Sequence, residues 1–116
     1  METDLDIKIR RAGDVPVIDL KGDVDSYTCI KLRNAIIDLI ENGEFRILIS
    51  MKGVQYIDSA GLGTLIGGLR RTGERNGGMA LIGANAQVKK VLSITGLTKV
   101  LDLYDNEADA IRQLTS

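Results

Sequence analysis

Val54-Gln55-Tyr56-Ile57-Asp58-Ser59-Ala60-Gly61-Leu62-Gly63-Thr64-Leu65-Ile66-Gly67-Gly68 is the stretch on which the fold turns. An apolar run, Ile47 to Met51, leads into it. An acid, a hydroxyl and an alanine follow, and then four glycines within the eight residues Gly61 to Gly68. Apolar residues resume at helical spacing: Leu62, Leu65, Ile66 and Leu69. The pattern is a strand, a tight turn and the start of a helix, with Ser59 or Asp58 as the N-cap. A serine at that place sets its hydroxyl beside the free N–H groups of the first helical turn. The plainest role for it is the cap itself, and the rest of the chain decides whether there is another.

Upstream, Leu5, Ile7 and Ile9 alternate with Asp6, Lys8 and Arg10. Period two predicts a strand with one wet face. Gly13-Asp14 turns the chain, and Val15 to Lys21 forms a second strand, so the two make a hairpin. Pro16 stands near the start of that strand, where a missing N–H is tolerated. Gly22 ends it. Asp25 or Ser26 then caps a helix whose stripe is Leu32, Ala35, Ile36, Leu39 and Ile40, and Asn42-Gly43 stops it. Phe45 to Met51 is nearly all apolar, as in a strand buried on both faces.

Downstream, the second helix runs from about Ala60 to Arg75. Met79 to Ile82 is another buried strand. The loop Gly83-Ala84-Asn85 opens a third helix with Val88, Val91 and Leu92 inward, closed by Thr95-Gly96. Val100 to Tyr104 is a last short strand, and Asn106 caps a final helix carrying Ala110, Ile111 and Leu114. The order is β-β-α-β-α-β-α-β-α. This is an α/β chain with a mixed, mostly parallel sheet of five strands opening on a hairpin, and with four helices. Residues 1–116 are expected to form one domain.

In such a sheet the functional crevice lies beyond the carboxyl ends of the strands. The turns Asp23–Ser26, Asp58–Gly63 and Gly83–Asn85 all leave such ends, so they are expected on one rim. That makes Ser59 accessible and gives it Asp23, Asp25 and Asp58 as neighbours.

The composition removes several functions. Fifteen basic and 16 acidic residues leave a net charge of −1, with no excess to attract nucleic acid or an anionic membrane. No stretch approaches the ~18 apolar residues of a membrane span. The charged, alternating start METDLDIKIRR is not a signal peptide, so a cytoplasmic location is expected. Cys29 is the single cysteine, which suits a reducing compartment and a small packed residue. There is no histidine, so Ser-His-Asp and Cys-His catalysis is unavailable and a zinc site is not expected.

The remaining constellations are weak. Gly61-x-Gly63-x-x-x-Gly67 is one residue out of step with a dinucleotide fingerprint, and Met79–Gly83 lacks the acid that should end the next strand. No Walker A loop occurs. Asp23, Asp25 and Asp58 offer hard oxygens to Mg²⁺, but capping explains them better. Arg70, Arg71 and Arg75 fall where the helix dipole favours cations. Gly67 and Gly68, inside a helix, mean either close packing or a bare face for another protein's backbone. Ser59 has no base to make it a nucleophile, and the G-x-S-x-G elbow is absent. It suits a phosphate acceptor, because added negative charge is tolerated at a helix N-terminus.

Several of these segments together carry a family resemblance. They are Leu20-Lys21-Gly22-Asp23-Val24-Asp25, Tyr56-Ile57-Asp58-Ser59-Ala60-Gly61-Leu62-Gly63, Gly77-Gly78-Met79 and Ile94-Thr95-Gly96-Leu97. The chain resembles, over essentially its whole length, a stand-alone STAS domain of the anti-sigma factor antagonist family. The resemblance implies a SpoIIAA-like fold with helices mainly on one side of the sheet. It implies a non-enzymatic regulator that binds an anti-sigma factor serine kinase and so frees a sigma factor. ATP-dependent phosphorylation of Ser59 ends that binding, and a PP2C-type phosphatase restores it. Family members often carry a second hydroxyl residue after the acceptor; here that position is Ala60. The implied partner face comprises Asp23, Asp25, Ser26, Tyr27, Asp58, Ala60, Gly61, Leu62, Gly63, Thr64, Gly67 and Asn85. No cofactor, metal, nucleic acid or membrane is expected, and the protein is expected to be a monomer. Two competing functions remain at this level: a STAS docking subunit of a lipid-transport or stress-signalling complex, and a small nucleotide-binding protein using the glycine-rich rim.

Overall fold

Apolar residues two apart at the start of the chain build one arm of a hairpin. In the computed structural model, which describes residues 4–116, β1 spans Leu5–Ala12 and β2 spans Val15–Val24. Met1 to Thr3, which open the segment read as lacking a signal-peptide pattern, lie outside the described residues. The two strands are antiparallel, with Ala12 opposite Val15 and Leu5 opposite Gly22. Leu5 is buried and Ile7 partly so, but Ile9 is half exposed. Ile9 thus keeps the face of the strand that Leu5 and Ile7 share but is not covered there. The groove between β1 and the first helix is lined by Leu5, Ile7 and Ala35, and Ile9 is not part of it.

β2 does not end at Gly22, as its glycine suggested. Gly22 has φ +122°, and a Cβ there would stand 2.3 Å from the carbonyl oxygen of Asp4. The glycine is needed for a close crossing inside the strand, which runs on to Val24. β3 is also longer than its apolar run, spanning Arg46–Ile57 rather than ending near Met51. Pairing with β2 carries it past Lys52-Gly53: Val17 lies opposite Leu48 and Val24 opposite Ile57, with two register shifts between. At each shift β3 holds one extra residue, a bulge that twists the strand. β4, Gly78–Ile82, pairs with β3 only as far as Ser50. Residues 51–57 of β3 therefore extend beyond β4. β5, Asp102–Tyr104, is shorter than expected because Leu97–Lys99 forms a 3₁₀ turn and Val100 is exposed.

The strand order is 1-2-3-4-5, and all neighbours but the hairpin pair are parallel. Each crossover steps the same way, so the right-handed rule puts the three intervening helices on one face. These are α1 (Cys29–Glu41), α2 (Ser59–Gly73) and α3 (Ala86–Ile94). Leu32 and Ile36 of α1, Leu62 and Leu65 of α2, and Val88 and Leu92 of α3 meet Ile18, Ile47, Ile49, Met51 and Leu81 of the sheet. Burying each large aliphatic side chain stabilises the fold by about 1.5–3 kcal/mol. α4 (Glu107–Thr115) follows the last strand and lies on the other face, where Ala110, Ile111 and Leu114 pack on Val15, Val17, Leu48, Ala80 and Ile82. Helices mainly on one side is thus correct, with α4 the exception.

Ile66 departs from the expected stripe of α2: it is exposed, whereas Leu62 and Leu65 are buried. Gly68 settles its own alternative. A Cβ there would stand 3.0 Å from both Ile36 Cδ1 and Met79 Sδ, so it permits close packing of α2 on α1 and β4.

Candidate functional site

The carboxyl ends of β2 and β3 finish side by side, Val24 opposite Ile57, and the Asp58 N–H donates to the Val24 carbonyl at 3.2 Å. The turns after both strands thus share one rim, as their places in the chain required. Asn85, after β4, joins them: its Nδ2 donates to the carbonyls of Val54 (3.2 Å) and Gln55 (3.1 Å).

Asp58, not Ser59, is the N-cap of α2. Its backbone is extended (φ −114°, ψ −172°), and its Oδ1 accepts from the N–H groups of Ala60 at 2.9 Å and Gly61 at 3.0 Å. The Leu62 N–H bonds the Asp58 carbonyl at 3.0 Å, completing the first turn. Ser59 is the first helical residue and is exposed. Of the two residues expected as the cap, the acid takes the place, because its carboxylate reaches both amides. This leaves the Ser59 hydroxyl facing solvent beside a carboxylate, and the amides of Ala60 and Gly61 already engaged.

The turn after β2 has a related design. Asp25 Oδ1 accepts from Tyr27 N (2.9 Å) and Thr28 N (3.0 Å). The backbone N–H groups of Thr28 and Tyr27 hold the Asp25 carboxyl below its ordinary range. Thr28 Oγ1 donates to the Asp23 carbonyl at 2.7 Å and accepts from Asp25 N at 3.0 Å. The regular helix starts only at Cys29, later than a cap at Asp25 or Ser26 implied, because this side-chain-bonded turn comes first. Asp25 and Asp58 both turn into their own backbones. Among the described residues no group of three or more His, Cys, Asp or Glu is arranged to hold a metal ion.

The overhanging end of β3 is held by the first turn of α3. Asn85 caps that helix, accepting from Val88 N at 2.9 Å while its amide binds β3. Gln87 faces Ile57 with both of its polar atoms: Oε1 accepts from Ile57 N and Nε2 donates to Ile57 O, each at 3.3 Å. Asn85 entered the expected partner face as a rim residue; Gln87 was not singled out. Its signal is faint in sequence, because only the stagger of β3 past β4 gives it a purpose.

The other expected residues divide. Asp23 and Ala60 are partly buried, and Ser26, Tyr27 and Gly63 are exposed, with Tyr27 at 86%. Thr64 is partly buried and donates to the Ala60 carbonyl at 3.2 Å. Gly61 and Leu62 are buried. A Cβ on Gly61 would meet Val24 O at 2.7 Å, so that glycine lets α2 seat on the end of β2. Gly67 is buried too, with Arg71 Nη1 2.9 Å from where its Cβ would be. Tyr56, 46% exposed, and Ile30 and Ile66 are large apolar groups left at the surface, outside the expected partner face. The clefts lined by Arg46, Asn76 and Gly77 lie at the amino ends of β3 and β4, the opposite rim, and Ser59 lines neither.

With this geometry in place, likeness to known proteins becomes specific. The STAS domain family profile matches residues 6–110. An anti-sigma F factor antagonist of Paenibacillus polymyxa is 31% identical over 111 residues, covering 95% of each chain. The chain belongs to the STAS family, among the anti-sigma factor antagonists. Two solved structures share its fold. An anti-sigma factor antagonist from Mycobacterium paratuberculosis superposes with TM-score 0.87 at 21% identity, over 97% of this chain and 95% of that one. The Bacillus cell fate determinant SpoIIAA, in its phosphorylated form, does so with TM-score 0.72 at 23% identity, over 93% and 98%. No helix of this STAS chain, among the described residues, is long and apolar enough to cross a membrane.

Proposed function

We propose that this STAS protein is an anti-sigma factor antagonist switched by phosphorylation of Ser59. In its unmodified form it binds, in the cytoplasm, an anti-sigma factor that is also a serine kinase, and the sigma factor is freed. The kinase joins Ser59 Oγ to the γ-phosphorus of ATP, the bond to the β-phosphate oxygen breaks, and ADP leaves. The hydroxyl proton passes to a base of the kinase. The chain is the substrate of that step, and a PP2C-type phosphatase reverses it by hydrolysis.

The observation that carries this reading is the division of labour at the start of α2. Asp58 supplies the cap, so the adjacent exposed hydroxyl is spare. A phosphate on Ser59 would add a charge of about −1.5 to −2 without removing any bond that holds the helix. It would find the Ala60 and Gly61 amides occupied and a carboxylate beside it. The charge would stand unneutralised where the partner must dock, and a partner held hundredfold more weakly requires only about 2.8 kcal/mol. The existence of SpoIIAA in a phosphorylated form supports the view that this fold survives the modification.

Titration of the cognate kinase with wild type, Ser59→Ala and Ser59→Asp tests the switch. Ser59→Ala should bind like wild type and resist release by ATP, and Ser59→Asp should bind at least about tenfold more weakly. Equal binding by the two variants would sink the mechanism.

A further inference from the structure

We propose that Gln87 is a positioning residue for Ser59, acting as a one-residue stand-in for the strand that β3 lacks at its end. The inference rests on Ser59 being the acceptor. β4 leaves β3 after Ser50, so beyond that point the side of β3 facing β4 has no neighbouring strand. A strand edge presents both N–H and C=O groups, and each must find a partner or water. At Ile57 one carboxamide supplies both: Gln87 Oε1 takes the N–H and Nε2 takes the carbonyl, at 3.3 Å each. Only this orientation of the amide satisfies the pair. Across the strand, Ile57 lies opposite Val24, and the Asp58 N–H bonds the Val24 carbonyl.

Ile57 is therefore gripped from both sides, two residues before Ser59. Asp58, the only residue between them, is the helix cap. The path from Gln87 to the acceptor hydroxyl is three consecutive residues of backbone with no loop in it. Removing the grip leaves the end of β3 held by β2 and, two and three residues before Ile57, by Asn85 Nδ2 on the carbonyls of Gln55 and Val54. Phosphoryl transfer depends on holding the attacking oxygen in line, and small displacements of a reacting group are costly in rate. The docking surface on α2 itself is untouched, so the loss should fall on the chemical step rather than on binding.

Gln87→Met keeps the length of the side chain and removes both hydrogen bonds. Steady-state phosphorylation by the cognate kinase should show kcat lowered by about fivefold or more, with KM and the binding constant within about twofold of wild type. Amide exchange at Ile57 should accelerate, while exchange in the core of β3, at Leu48 and Ile49, stays unchanged. Gln87→Glu keeps the acceptor for Ile57 N and loses the donor to Ile57 O, so exchange at Ile57 should accelerate less than in Gln87→Met. An unchanged kcat in Gln87→Met, or a loss confined to KM, overturns the positioning role. Unchanged exchange at Ile57 overturns the grip itself, whether or not the kinase acts. A wild type that takes no phosphate on Ser59 overturns the acceptor assignment instead, and the two failures are told apart by that control.

Discussion

Asp58 and Ser59 are adjacent, both are good helix caps, and the fold gives them different work. The carboxylate reaches two amides of the first turn, and the hydroxyl is left to solvent. Asp58→Ala should therefore cost about 1 kcal/mol of stability, and Asp58→Asn, which keeps an acceptor oxygen, very little. Urea unfolding of the three proteins checks this, and equal losses in both variants would mean that charge rather than the cap bond matters. The sequence located the cap at this pair but could not choose between the two, since their capping preferences are nearly equal. The choice depends on where the extended backbone ends, and that is set by β2 pairing out to Val24 and Ile57. The same pairing hid the purpose of Gln87, which belongs to a stagger between strands that no local pattern records.

At the scale of the element, α2 carries glycines of opposite kinds. Gly68 lies against Ile36 and Met79, while a Cβ on Gly63 would meet nothing within 4 Å. Gly68→Ala should lose about 1–3 kcal/mol by overpacking, less the ~1 kcal/mol that alanine returns in helix propensity. Gly63→Ala should gain up to ~1 kcal/mol and, if this face docks the kinase, weaken binding at the same time. A stabilised Gly63→Ala that binds as tightly as wild type would remove Gly63 from the partner face. The pattern of apolar repeats, apolar runs and turn residues was enough to order the five strands and four α-helices, though not the 3₁₀ turn Leu97–Lys99. It shortened β2 and β3, whose ends contain Gly22 and Gly53 at close crossings rather than at stops. It also put Ile66 on the inner stripe, although the helix turns that residue outward.

Over the whole molecule, α4 packs on the face of the sheet opposite α2, the helix that Ser59 opens. α4 is tied to the hairpin by Arg10, which donates to Asp19 at 2.6 Å and to Glu107 at 2.5 Å. The hydrogen bond from Arg10 holds the Glu107 carboxyl below its ordinary range. A depressed carboxyl contributes stability above the unfolded value and loses it as pH falls through the folded one. Arg10→Ala should thus cost up to about 1 kcal/mol near neutral pH, and the gap from wild type should close below about pH 4. Thermal melts across that range test the sign; a gap that widens on acidification contradicts it. The same variant should be phosphorylated at the wild-type rate, because α4 packs on the face of the sheet opposite α2. The parallel order of the sheet and the gathering of three turns on one rim were legible from chain order alone, since right-handed crossovers allow little else. The side of the sheet taken by α4 was not, because no strand follows it to impose a crossover.

The most direct test of the central claim is site-resolved mass spectrometry of the protein after incubation with ATP and its cognate kinase. One phosphate should appear, on the peptide containing Ser59 and on that residue, and it should be absent from Ser59→Ala. Phosphate on another residue, or none on a protein that binds the kinase, would contradict it.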